Sequence, residues 1–104
     1  MEKKTKVTTN NKSKCVRLNR NSMMDIAALG SEKPSALKAF MFISQNMDAN
    51  NALCVSMKEL EKALELSKST LNRAIKYLEE NKWLVIHKLG TSNVYTINPY
   101  IAWK

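Results

Sequence analysis

Residues 56–84, SMKELEKALELSKSTLNRAIKYLEENKWL, constrain the fold most, because they hold two short helical periods separated by a break of three residues. Ser56 and Glu59 stand in the S-x-x-E spacing of a capping box, which satisfies orphan backbone donors at a helix start. Met57, Leu60, Ala63 and Leu64 share one face of the helix that follows. Leu66 anchors the turn, and Ser67 is placed to cap a second helix. There Leu71, Ala74, Ile75 and Leu78 line one face. Ser69, Asn72, Arg73, Lys76 and, further on, Glu80 line the opposite face, with Thr70 and Tyr77 at the border. A helix with one face for a domain and one polar cationic face has the form of a recognition helix entering a DNA groove.

The next segment, WLVIHKLGTSNVYTI, changes period. Residues 83–89 and 93–98 are rich in β-branched and aromatic side chains and flank Gly90, Thr91 and Ser92, as a hairpin requires. Pro99 closes the second strand. Helix, turn, helix and hairpin together predict an α+β, mainly α fold: a winged helix-turn-helix with a C-terminal wing of two to three strands.

Elsewhere the signals are shorter. Residues 1–14, MEKKTKVTTNNKSK, lack the apolar content to offset chain entropy and are expected to be a disordered basic tail, leaving 15–104 as the domain. Residues 15–20 alternate weakly and suit a short strand or docked arm. Ser22, with Asp25 three residues on, resembles a helix cap, and Gly30 is placed to end that helix. Pro34 suits the first turn of the next helix, over residues 35–47. Ala36, Phe40, Ile43 and Met47 form its apolar face, flanked by Leu37 and Ala39. Met41 and Phe42 fall outside that stripe, so this helix is either the buried centre of the domain or also a contact in a homodimer. Residues 48–51 read as a turn and 52–56 as a short apolar strand. Tyr100, Ile101 and Trp103 form an apolar segment expected to dock on the domain, with Tyr95 and Tyr100 as sheet and core aromatics.

Composition excludes several classes. The 104 residues suffice for one domain. No apolar run approaches the roughly 18 residues of a membrane span, and no signal peptide is evident, so no membrane partner and a cytoplasmic location are expected. Cys15 and Cys54 are read as reduced thiols; with His87 they match no zinc spacing, so no metal is expected. His87 reads as a surface residue of the wing, without the partners that catalysis needs. The two glycines, Gly30 and Gly90, make no phosphate loop, so neither a cofactor nor an enzyme activity is expected. The net charge of +8 is unevenly placed. Residues 1–20 carry seven Lys and Arg against one acid, residues 21–66 four against six, and residues 67–104 six against two. The positive blocks are the tail and the region of the second helix and wing, where DNA phosphate would lie.

The spacing assigns candidate roles on double-stranded DNA. Positions 69, 72, 73 and 76 project together. Arg73 can pair bidentately with a guanine edge and Asn72 with an adenine edge. Ser69 and Thr70, near free backbone amides, can donate to phosphate, and Lys68 and Lys76 fit phosphate or guanine. In the wing, Lys88, Thr91, Ser92 and Asn93 are candidates for the minor groove or adjacent backbone, and in the tail Lys3, Lys4, Lys6, Lys12 and Lys14 for phosphate.

Two resemblances follow from these residues. Ser56, Glu59-Leu60, Leu64, Leu66-Ser67-Lys68-Ser69-Thr70 and Arg73-Ala74 resemble the pattern of bacterial winged helix-turn-helix regulators. The chain departs from it at Glu61, where a small Ala is usual, and at Glu65, where Gly is usual. The turn must therefore hold a side chain in an unusual backbone region. Val16-Arg17-Leu18, the run from Ser69 to Leu78, Gly90-Thr91-Ser92-Asn93-Val94-Tyr95-Thr96-Ile97-Asn98-Pro99 and Ala102-Trp103 resemble the plasmid replication proteins of the RepL family. That resemblance implies binding at a plasmid origin, action in replication initiation or its control, host replication proteins as partners, and no enzymatic activity. The alternatives are a transcriptional repressor or partition adaptor with the same DNA-binding half, or a winged helix used only for protein contact.

Overall fold

The computed structural model describes residues 15–104, so the expected tail lies outside the described residues. In order it holds β1 (Arg17–Leu18), a 3-10 turn (Arg20–Ser22), α1 (Met23–Glu32), α2 (Pro34–Asn46), β2 (Ala52–Val55), α3 (Met57–Leu64), α4 (Lys68–Glu80), β3 (Leu84–Leu89), β4 (Ser92–Ile97) and β5 (Ala102–Trp103). The fold is a winged helix-turn-helix, mainly helical, with α3 and α4 as the motif and β3–β4 as the wing.

Helix α2 is the axis of the core. Ala36, Ala39, Phe40, Ile43 and Met47 are all buried, and Phe40 meets Trp83 edge to face at 5.2 Å between ring centroids. Leu60 and Leu64 of α3 and Leu71, Ala74, Ile75 and Leu78 of α4 close over the same core. The stripe read in α4 is thus the buried one. In α3, however, Ala63 is exposed. Positions 57, 60 and 64 already span the narrow contact face of this eight-residue helix, and 63 turns out of it. Phe42 is half-buried against the core, while Met41 remains 44% exposed.

The sheet is antiparallel in the order β2-β4-β3. Leu84 pairs with Ile97 at one end and Leu89 with Ser92 at the other, so the hairpin turn is Gly90-Thr91 alone, not the expected three residues, and Ser92 belongs to the strand. Gly90 has φ 65°, the positive value that the first position of a Gly-X hairpin turn takes. The pleat alternates. Leu84, Ile86, Lys88, Asn93, Tyr95 and Ile97 are on the helix side, whereas Val85, His87, Leu89, Ser92, Val94 and Thr96 are on the outer side.

The ends of the described chain pair non-locally. Arg17 and Leu18 of β1 lie opposite Trp103 and Ala102 of β5. Asn51, buried with φ 62°, donates from Nδ2 to the carbonyls of Ala102 (2.8 Å) and Ile97 (3.3 Å), tying this pair to the large sheet. Three expectations fail here. The side-chain cap belongs to the 3-10 turn and not to α1: Asn19 accepts from the Asn21 amide at 2.9 Å while its Nδ2 donates to the Tyr100 carbonyl at 2.7 Å. Ser22 makes no cap bond with its side chain, because its backbone is already in the 3-10 turn. Gly30 does not end α1, which runs on to Glu32; a Cβ at Gly30 would come within 2.8 Å of Leu37 Cδ2, so its smallness serves the close approach of α1 and α2. Tyr100 does not dock but is 80% exposed, while Ala102 is buried and Ile101 packs against the core.

Candidate nucleic-acid interface

The motif is built locally as its caps dictate. Ser56 Oγ accepts from the Glu59 amide at 3.1 Å, and Glu59 Oε1 accepts from the Ser56 amide at 2.9 Å, which completes the capping box. The Ser56 amide, and secondarily its hydroxyl, hold the exposed Glu59 carboxyl below its ordinary pKa. At the other end of α3, Lys38 Nζ donates to the Leu64 carbonyl at 2.6 Å, a cation at a helix C-terminus. Glu65 then turns the chain at φ 56°, ψ 43°, the left-handed conformation in which Gly is usual. Ser67 caps α4: its Oγ accepts from the Thr70 amide (3.3 Å) and donates to Thr70 Oγ1 (2.9 Å). The Thr70 hydroxyl is therefore part of the cap.

Lys68, Ser69, Asn72, Arg73 and Lys76 are exposed on α4. Among the described residues, neither Arg73 nor Lys76 makes an ion pair or hydrogen bond. The single stripe read from spacing divides in space. Asn72 and Lys76 border a groove of about 460 Å3 between α4 and the wing, with Lys88 and Asn93 on its far wall. Arg73 and Thr70 border a smaller groove, about 200 Å3, against the start of α2 at Lys33, Pro34 and Ser35. Thr91 is exposed at the tip of the wing, whereas Ser92 lies on the outer face of the sheet, away from the groove that Lys88 and Asn93 line.

Sequence reading missed Lys33 and Ser35. Helix α2 carries Pro34 at its first turn and no side-chain cap, so its first amides have no partner within the helix and sit beside Arg73. Pro34 was the local signal for this start; that it adjoins α4 is tertiary information. Tyr95 was read as a core aromatic, and its ring is buried, but its hydroxyl reaches the groove floor. It donates to Met57 Sδ at 3.3 Å and accepts from Asn93 Nδ2 at 3.0 Å. Burial pushes the phenol pKa up, opposed by the Asn93 bond, so the proton that Tyr95 donates stays in place at neutral pH. Cys54 is an exposed free thiol. No group of three or more His, Cys, Asp or Glu among the described residues could hold a metal ion, and no described helix is long and apolar enough to cross a membrane.

A capped helix-turn-helix, an exposed polar second helix and an adjoining hairpin define the winged helix-turn-helix class of DNA-binding domain. The profile of the MarR family matches residues 33–90, and the chain belongs to that family. Among solved structures it is similar to HlyU from Vibrio cholerae N16961, at 21% identity and a TM-score of 0.53, over 76% of this chain and 79% of the other. At that identity the likeness concerns the fold. No curated protein sequence matches the chain.

Proposed function

We propose that the protein is a sequence-specific transcription regulator that binds duplex DNA through α4 and the wing. The observation that carries this reading is the exposed row Ser69, Asn72, Arg73 and Lys76, free of carboxylate partners among the described residues, on the second helix of the motif. With α4 in the major groove, Arg73 and Asn72 read base edges, while Lys68, Ser69 and Lys76 hold phosphates. The Thr70 amide is taken up by the cap, and its hydroxyl, which only accepts there, keeps its proton to donate to phosphate. Lys88, Thr91 and Asn93 follow the flanking groove or backbone; Ser92 faces elsewhere and contributes least. Lys33 and the open start of α2 add a phosphate contact beside Arg73.

The active form is a homodimer reading paired half-sites. Apolar side chains with no core to enter support this: Met24 is 79% exposed and Met23 50% on α1, and Met41 is 44% exposed on α2. A plasmid replication role, with host replication proteins as partners, rests on the resemblance of the segment from Gly90 to Pro99 to RepL proteins, and membership of the MarR family favours regulation instead. Selection of preferred sites from random duplexes tests the reading. A regulator enriches a defined, two-fold related site that lies at promoters. Enrichment of iterated sites at a plasmid origin would restore the replication reading, and no enrichment at all would leave the motif as a protein-contact module.

A further inference from the structure

We infer that Tyr95 is a positioning residue for DNA recognition: its hydroxyl, itself anchored on α3, fixes the Asn93 side chain on the wall of the wing that faces the recognition helix. The inference rests on the duplex-binding reading above. Two elements, β4 and α3, meet at this one oxygen. The Tyr95 ring is fully buried in β4, so the phenol cannot swing. Its hydroxyl donates to Met57 Sδ, in the first residue of α3, and accepts from Asn93 Nδ2, two residues nearer the wing turn. Asn93 in turn lines the groove opposite Asn72 and Lys76 of α4.

A packing role alone would not require the oxygen. Phenylalanine would fill the same buried volume, and a thioether is a weak acceptor that leaves a phenol little net stabilisation. What the hydroxyl adds is direction. Asn93 is a short side chain with broad terminal torsional freedom, and one bond to a rigid acceptor removes most of it. Its amide is thereby ordered before any partner arrives, so less entropy is lost when the side chain is used in binding. Lys88, directly across the hairpin from Asn93, shares this wall, and its ammonium is carried on the same ordered strand pair.

The test is a double-mutant cycle on duplex binding with Tyr95→Phe and Asn93→Ala, each measured in the full chain, with Arg73→Ala as the reference for the DNA reading. Tyr95→Phe is expected to weaken binding by about threefold to tenfold, the range of one lost hydrogen bond. On an Asn93→Ala background it should have no further effect, because Tyr95 acts through Asn93. In the free protein, NMR order parameters of the Asn93 side-chain amide should lie near the rigid value of about 0.85 in the wild type and fall below about 0.6 in Tyr95→Phe. That measurement on the wild type stands even if Tyr95→Phe fails to fold. Wild-type affinity in Tyr95→Phe, losses that simply add, or a disordered Asn93 amide in the wild type would each overturn the inference. If Arg73→Ala binds as the wild type does, the duplex reading itself fails, a result separate from these three.

Discussion

Glu65 shows how one residue can be placed against its intrinsic preference. At φ 56°, ψ 43° it occupies the left-handed region, where a Cβ is crowded and Gly is not. Nothing about the side chain offsets this: Glu65 is exposed. Glu65→Gly should therefore raise stability by about 0.5–1 kcal/mol, allowing for the greater unfolded entropy of Gly. Denaturant unfolding checks this; an unchanged or lower midpoint would mean that the turn relaxes around Glu65 at no cost. The departure from Gly at this position was visible in the sequence, and so was its backbone consequence, because turn chemistry is local. The roles of Asn19 and Gly30 were not. Asn19 caps where it does because Tyr100 and Ile101 offer carbonyls from the far end of the chain, and Gly30 is small because Leu37 of another helix passes over it.

At the scale of elements, the capping box of α3 has a pH signature. The carboxyl of Glu59 titrates lower in the folded state, so its stabilisation is present above the unfolded pKa, near the ordinary 4.5, and is lost as pH falls through the folded value. Glu59→Gln can keep a neutral cap but has no proton to gain. The melting-temperature advantage of wild type over Glu59→Gln should hold steady above about pH 5.5 and close progressively below 4.5. A gap independent of pH would show that the ionised carboxylate contributes nothing to the cap. Elements such as α4 were legible because Leu71, Ala74, Ile75 and Leu78 recur at helical spacing and one core receives them all. The candidate site was legible only in part. Spacing placed Asn72, Arg73 and Lys76 together on α4, but which neighbour each one faces depends on α2 and the wing. Arg73 ends beside Lys33 and Ser35, and Lys76 beside Lys88 and Asn93. The outward turn of Ser92 follows from a two-residue hairpin turn, which shifts the strand boundary by one residue and hence the side on which each side chain falls.

At the scale of the whole molecule, exposed apolar surface is divided between the wing, at Val85 and Leu89, and helices α1 and α2. Arg73 of α4 borders one groove and Lys76 of α4 and Lys88 of the wing the other, while the exposed methionines Met23, Met24 and Met41 lie on α1 and α2. If those methionines meet a second copy, Met24→Lys combined with Met41→Lys should convert a dimer into a monomer in sedimentation at micromolar concentration. It should also weaken binding to a two-half-site duplex far more than to a single half-site. A wild-type chain that sediments as a monomer would remove the dimer from the account. Base reading by α4 is tested by a titration of wild type and Arg73→Ala against a selected duplex and its single-base mismatches. Arg73→Ala is expected to cost about 1–3 kcal/mol on the matched duplex and to abolish discrimination at one base position only. An equal loss on matched and mismatched duplexes would contradict base readout by Arg73, and no loss on either would contradict the placement of α4 in the groove.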